Sequence, residues 1–164
     1  MDRTAHRELM RIRVLAVGTR MPAWVAEGVG EYQKRLPRDF PVDWIEIPPA
    51  KRQGESAERL MAKEAEAIRK HLKSDDRLLA LDVRGEAVST EDMAASFQHW
   101  QMDGRNLAFI IGGPDGIHPD LLNSATARWS LGRITLPHPL VRVILAEQLY
   151  RSWSINAQHP YHRA

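Results

Sequence analysis

Three stretches of this chain run apolar with little alternation: RIRVLAVG (Arg11–Gly18), RLLALDV (Arg77–Val83) and NLAFII (Asn106–Ile111). A strand with one wet face alternates apolar and polar residues, whereas a strand apolar along its length is covered on both faces. Segments with helical spacing lie between them. Val25, Gly28/Val29, Tyr32 and Leu36 follow Pro22, a first-turn residue, and Pro37 ends the run. Ala57, Met61, Ala65, Ile68 and Leu72 follow a cap at Ser56, and Met93, Phe97 and Trp100 follow a Ser89/Asp92 capping box. VDWIEI (Val42–Ile47) reads as a second strand, with Val42, Trp44 and, by alternation, Glu46 on one face. Further along, the pattern predicts a short helix from Asp120 to about Ala127 behind Pro119, a fifth strand in RITLP (Arg133–Pro137), and a last helix over Leu140–Trp153. The alternation specifies an α/β fold: a mainly parallel sheet with helices on both faces. Ligands of such sheets gather at the carboxyl ends of the strands.

The 164 residues suit one domain, expected over residues 10–164. Residues 1–9 lack periodicity and are expected to form a disordered extension. No run of 18 apolar residues suggests a spanning helix, and MDRTAHRELM has no signal-peptide core. Cysteine is absent, which excludes disulfides, thiolate zinc sites and a cysteine nucleophile; the scattered histidines have no metal-ligand spacing, so no metal is expected. Net charge is only +2, but from Arg128 onward five arginines face one acid, Glu147. That skew suits an anionic partner, or is ordinary solvated surface.

Four segments are candidates for chemistry. IIGGPDG (Ile110–Gly116) follows a buried strand; its glycines allow close backbone approach to a ligand, or simply make a tight turn. It is neither GxGxxG nor a P-loop. In SLGRITLPHPLVR (Ser130–Arg142), two prolines flank His138 and stiffen the chain, leaving backbone groups open to a flat ligand such as adenine; alternatively Pro139 starts the last helix and His138 is structural. The last helix is apolar almost all round, which a sheet on one side and a partner subunit on the other would explain. Glu147 and Arg151 are spaced for an ion pair, and Arg142 sits in the first turn, against the dipole, which hints at a carboxylate or phosphate partner. The last seven residues, QHPYHRA, offer Tyr161 for stacking, His159 and His162 for proton movement and Arg163 for phosphate, or form a frayed tail.

Together LAVGTRMP, LDVRG, IIGGPDG, the LPHPLVRV and AEQLYR block and the terminal HPYHR resemble the RlmH family of bacterial large-subunit rRNA pseudouridine methyltransferases, within the SPOUT methyltransferases. The resemblance spans Met10 to Arg163. It implies a parallel α/β domain with a C-terminal deep trefoil knot, S-adenosyl-L-methionine as cofactor, and methylation of N3 of pseudouridine 1915 in 23S rRNA. The implied partners are a second copy, giving a homodimer, and the assembled ribosome at its subunit interface, with no membrane and no DNA; the implied location is the cytoplasm. Carried over residue by residue, the cofactor pocket comprises Leu81, Gly112, Leu131, Gly132, Arg133, Ile134, Thr135 and Leu136. Gly132 stands where family members keep serine. The tail, residues 158–164, would reach the other subunit's pocket, where Tyr161 and His162 help hold the target nucleotide.

N3 of pseudouridine carries a proton, which has to leave for transfer to occur. His138 or a tail histidine is a candidate acceptor, Arg142 a candidate for stabilising developing anionic charge or fixing a phosphate, and a positioned water is an equal alternative to a dedicated base. The rival readings are a SPOUT enzyme with another RNA target and a non-catalytic RNA- or ribosome-binding module. A nucleotide hydrolase is weaker, for want of clustered acids.

Overall fold

The computed structural model describes residues 9–163, so all of the expected N-terminal extension but Leu9 lies outside the described residues. Five strands form one parallel sheet in the order β2-β1-β4-β3-β5: β1 (Ile12–Val17), β2 (Val42–Ile47), β3 (Arg77–Ala87), β4 (Leu107–Ile111) and β5 (Ala127–Ser130). The helices are α1 (Ala23–Gln33), α2 (Ala57–Arg69), α3 (Thr90–Gln101), α4 (Pro119–Ser124) and α5 (His138–Asn156), and a 3₁₀ turn over Pro160–Arg163 closes the chain. The expected architecture is observed.

Alternate residues of the central strands feed two cores. On one face Val14, Leu79, Phe109 and Trp129 pack with Met93 and Phe97 of α3 and Leu145 and Leu149 of α5. On the other, Leu15, Leu78, Ala108 and Ile110 pack with Ala65 and Ile68 of α2 and Leu121 of α4. Both predicted caps form: Ser56 accepts from Arg59 N at 3.3 Å, and Ser89 with Asp92 makes a full capping box. Among the described residues no helix is long and apolar enough to cross a membrane.

Several boundaries differ from the sequence pattern. The fifth strand is Ala127–Ser130, not Arg133–Pro137. Trp129 decides this: its ring stacks on Trp100 at 5.8 Å and meets Phe97 and Phe109, so the segment that carries it joins the sheet. α4 stops at Ser124 because Ala125 turns extended and Thr126 N already reaches Leu78 O at 2.7 Å. α5 starts at His138 with Pro139 in its first turn and runs on to Asn156. β3 continues past Val83: its register jumps between Leu81 and Glu86, and Glu86 and Ala87 re-pair with Trp129 and Ser130.

That jump shapes the C-terminal half. From edge strand β5, residues 131–137 return across the end of β3 and deliver His138 beside Gly112, at the end of β4. The Asp82–Gly85 excursion lies beside this path, an arrangement consistent with the C-terminal knot that the resemblance implies. Gly85 makes the contact possible: a Cβ there would stand 2.6 Å from Arg128 O and 2.9 Å from Trp129 N. Gly85→Ala is therefore expected to cost about 1–3 kcal/mol, as overpacking against backbone does. Urea unfolding checks this, with Gly30→Ala as comparison, since nothing lies within 4 Å of a Cβ at Gly30.

Candidate functional site

The loops after β1, β3, β4 and β5 surround a cavity of about 1090 Å³ at the carboxyl end of the sheet, at the upper end of the roughly 300–1,000 Å³ usual for ligand pockets. Of the expected cofactor residues, Leu81, Gly112, Leu131, Gly132, Ile134 and Leu136 line it. Arg133 and Thr135 belong to the same loop, with both side chains exposed.

That loop is pinned at one end and open along the rest. Ser130 Oγ accepts from Gly132 N at 3.3 Å and donates to Gly132 O at 2.8 Å. Gly132 has φ 145°, in the region that favours glycine, so it suits this turn better than the serine of the resembled family. Beyond it, the backbone N–H and C=O groups of Arg133 to Leu136 make no hydrogen bond within the described residues. They are available to a flat, polar-edged ligand such as adenine. Opposite them, Gly112 admits no side chain: a Cβ would meet Gly116 C at 2.8 Å.

The glycine loop is backed by groups the sequence reading missed. Glu64 of α2 is buried; its Oε2 accepts from Ala50 N at 3.0 Å, and its Oε1 stands 3.1 Å from where a Cβ of Gly113 would be. Burial raises its pKa above the ordinary carboxylate value. Arg52 pairs with Asp115 at 2.7 Å, joining the β2–α2 loop to the same glycine loop.

Arg142 organises the rest. It is 5% exposed, and each of its three guanidinium nitrogens donates a hydrogen bond. Nη1 donates to Glu46 Oε2 at 2.7 Å, Nη2 to Gly18 O at 2.8 Å and Nε to His138 Nε2 at 2.8 Å. Because Nε2 accepts, the His138 proton sits on Nδ1, which faces Gly112 O at 3.1 Å. Burial, and then the Arg142 charge, lower the His138 pKa, so the ring is neutral at pH 7. Both candidate catalytic side chains thus come together at the cavity, but with their polar atoms engaged. In this arrangement they hold the Gly112 carbonyl in place, and the lone pair of His138 Nε2 is already taken by Arg142. The carboxylate partner that the placement of Arg142 hinted at is Glu46.

Tyr161 and His162 are not brought to this cavity. They pack along the second half of α5, against residues 147–154, which at about 1.5 Å per residue lie roughly 14–24 Å along the helix from His138. The Tyr161 ring lies tilted against that of Tyr150, centroids 4.5 Å apart, its hydroxyl donates to Glu147 Oε1 at 3.3 Å, and Arg151 lies 4.9 Å from its ring centre. Burial, then Glu147, push its pKa up to about 12. His162 Nδ1 lies 3.4 Å from Ser154 Oγ, and Arg151 also binds Glu147 at 2.6 Å, the spacing-predicted pair. Through residue 162 the tail is therefore packed, not frayed. With α1 and α3 it covers much of α5, in which Leu140 stays exposed and Val141, Val143 and Ile144 are only half-buried.

The basic C-terminal third is also largely used internally. Arg128 caps α4 through Leu122 O and Asn123, Arg142 is buried, and Arg151 is paired.

Comparison with known proteins bears on the family and the fold. A family model described as a predicted SPOUT methyltransferase matches residues 10–162. A ribosomal RNA large subunit methyltransferase H of Chromohalobacter salexigens is 55% identical over 156 residues, covering 94% of this chain and 100% of the relative. Its counterparts in Saccharophagus degradans and a Marinomonas species are 49% and 46% identical, with the same coverage. Among solved structures, a probable methylase family protein of Haemophilus influenzae superposes with a TM-score of 0.55 at 9% identity, over 92% of this chain and 67% of that one; this likeness concerns the fold alone.

The Arg142 cluster yields two expectations. Arg142→Lys keeps a charge but loses the three-way fork, and should cost about 2 kcal/mol of stability in urea unfolding, together with weaker cofactor binding by calorimetry. The folded-state pKa of His138 lies below its unfolded value of 6.5. Its stabilising effect is therefore complete above that value and is lost as pH falls through the lower folded-state pKa. Cofactor affinity should be flat from neutral to mildly alkaline pH and decline on acidification, and His138→Asn should remove that acid limb.

Proposed function

The chain belongs to the SPOUT methyltransferase family, and from that premise we propose the reaction it performs: methyl transfer from S-adenosyl-L-methionine to N3 of pseudouridine 1915 in 23S rRNA of the large ribosomal subunit. The observation that carries this reading is the cavity at the carboxyl ends of the strands, with Gly112 on one wall and the unpaired backbone of residues 133–136 on the other.

Those residues fit the cofactor. The backbone edges of Arg133 to Leu136 match the donor and acceptor pattern of adenine, and Leu81, Leu131, Ile134 and Leu136 supply apolar walls. When bound, S-adenosylmethionine supplies a methyl group activated by its sulfonium. The protein's part is to orient and to manage a proton. His138 and Arg142 fix the Gly112 carbonyl, and so the shape of the pocket floor. Proton removal from N3 falls to His162 or to a positioned water, since His138 has both ring nitrogens engaged.

Tyr161 and His162 stand far from the cavity of their own chain, so in this reading they complete the cavity of a second copy. A homodimer across the α1 and α5 surface would do this. Gly28 of α1 packs on Val143 of α5, and Trp24 and Leu140, one turn earlier on each helix, are exposed at 47% and 39%. The ribosome as substrate puts the reaction in the cytoplasm.

The test is transfer of tritiated methyl from S-adenosylmethionine to 70S ribosomes, 50S subunits and naked 23S rRNA that lack the modification. Label at pseudouridine 1915 is expected, strongest on assembled particles; label elsewhere, or none, contradicts the assignment. His162→Ala should reduce transfer by about 10² or more while changing cofactor affinity little. Equal losses in the two would remove the tail from the substrate site.

A further inference from the structure

The cations of this chain divide into those with partners and those without. Arg13, Arg35, Arg52, Arg59, Arg77, Arg142 and Arg151 all pair with acids. Three exposed arginines have side chains with no hydrogen bond or ion pair to any described residue: Arg84, which lines the cavity, and Arg20 and Arg133, each flanked in sequence by lining residues. Arg20 and Arg133 come from the loops after β1 and β5, and Arg84 from the Asp82–Gly85 excursion of β3; far apart in sequence, all three segments contribute to the same cavity wall. Asp82 and Glu86 flank Arg84 without forming an ion pair to it.

Arg20 carries a second signal. Its φ is 57°, in the left-handed region. Gln158 is the other described non-glycine residue there, and it has a local reason: it follows the end of α5, and the adjacent His159 N reaches back to Ser154 O at 2.8 Å. Arg20 ends no helix. Glycine would take its conformation without strain, so the chain holds a large cationic side chain where the backbone favours none.

We propose that Arg20, Arg84 and Arg133 form a phosphate-binding rim, which docks the sugar-phosphate backbone flanking the target nucleotide and presents the base to the cavity. The proposal rests on the methyltransferase reading above. Guanidinium groups suit this task because their planar fork meets phosphate oxygens in pairs. Contacts of this kind fix register without reading sequence, which suits a cavity that acts on one base within a folded RNA surface. Three separate segments also bring the cations to the cavity from different strand ends, which a single basic segment would not.

Counterion release gives the test a direct readout. Binding of the full-length protein to 70S ribosomes is measured across monovalent salt at fixed magnesium. Arg20→Ala, Arg84→Ala and Arg133→Ala should each lower the log–log salt slope by about 1, and the triple variant by roughly 3. Arg38→Ala removes the same charge from an exposed, unpaired site at the amino-terminal end of the sheet and should leave the slope unchanged. Arg20→Gly should lower the slope with no fall in melting temperature, because it relieves the left-handed backbone; a purely structural arginine would move stability instead. A wild-type slope in the triple variant, or an equal loss from Arg38→Ala, overturns the rim. Failure of the wild-type protein to methylate any ribosomal particle overturns the enzymatic reading instead, so the two failures are distinguishable.

Discussion

The guanidinium of Arg142 ties together parts of the chain that have no other reason to meet. It reaches Gly18 at the end of β1, Glu46 near the end of β2 and, through the His138 ring, Gly112 at the end of β4. It projects from α5, the element that follows the long return from edge strand β5. A buried guanidinium left without partners is strongly unfavourable. Once α5 docks with Arg142 inside, these partners have to be in place. The carboxyl ends of three strands are thereby set relative to one another, and the cavity takes its shape.

Glycine makes the crossing possible where the chain runs against itself. Gly85 lets the β3 excursion lie on the backbone of β5, and Gly112 lets the loop after β4 fold onto Gly116. The same crowding leaves residues 133–136 with no strand to pair with, because Ala127–Ser130 already fill the edge. An unpaired backbone segment beside a cavity is a liability unless water or a ligand satisfies it. Here it borders the cavity, with its donors and acceptors open to a ligand. The knot-like return and the binding wall are thus two consequences of one chain path.

Much of this was legible in the sequence, for identifiable reasons. Buried parallel strands lose their alternation, so β1, β3 and β4 stood out; the Ser56 and Ser89 caps are local chemistry and formed as expected. The fifth strand was misplaced because RITLP has the better strand composition, while Trp129 is claimed by aromatic partners on α3 and β4 that lie distant in sequence. The Arg142–Glu46 pair left two separate traces, a cation against the helix dipole and an acid on the inward face of β2. Spacing alone could not join residues 96 apart. The arginine-rich C-terminal third was legible only in part: Arg128, Arg142 and Arg151 serve the fold, whereas Arg133 is free, and the other free cations beside the cavity, Arg20 and Arg84, lie far upstream.

The central claim is that the cofactor sits between the Gly112 carbonyl, held by the His138–Arg142 pair, and the open backbone of Arg133 to Leu136. Heteronuclear NMR during titration with S-adenosylmethionine tests it most directly. The account predicts the largest amide shifts at Gly112 and across Leu131 to Leu136, with the His138 ring remaining in its Nδ1–H form throughout. Shifts centred on another surface, or a His138 ring that carries its proton on Nε2, would contradict it.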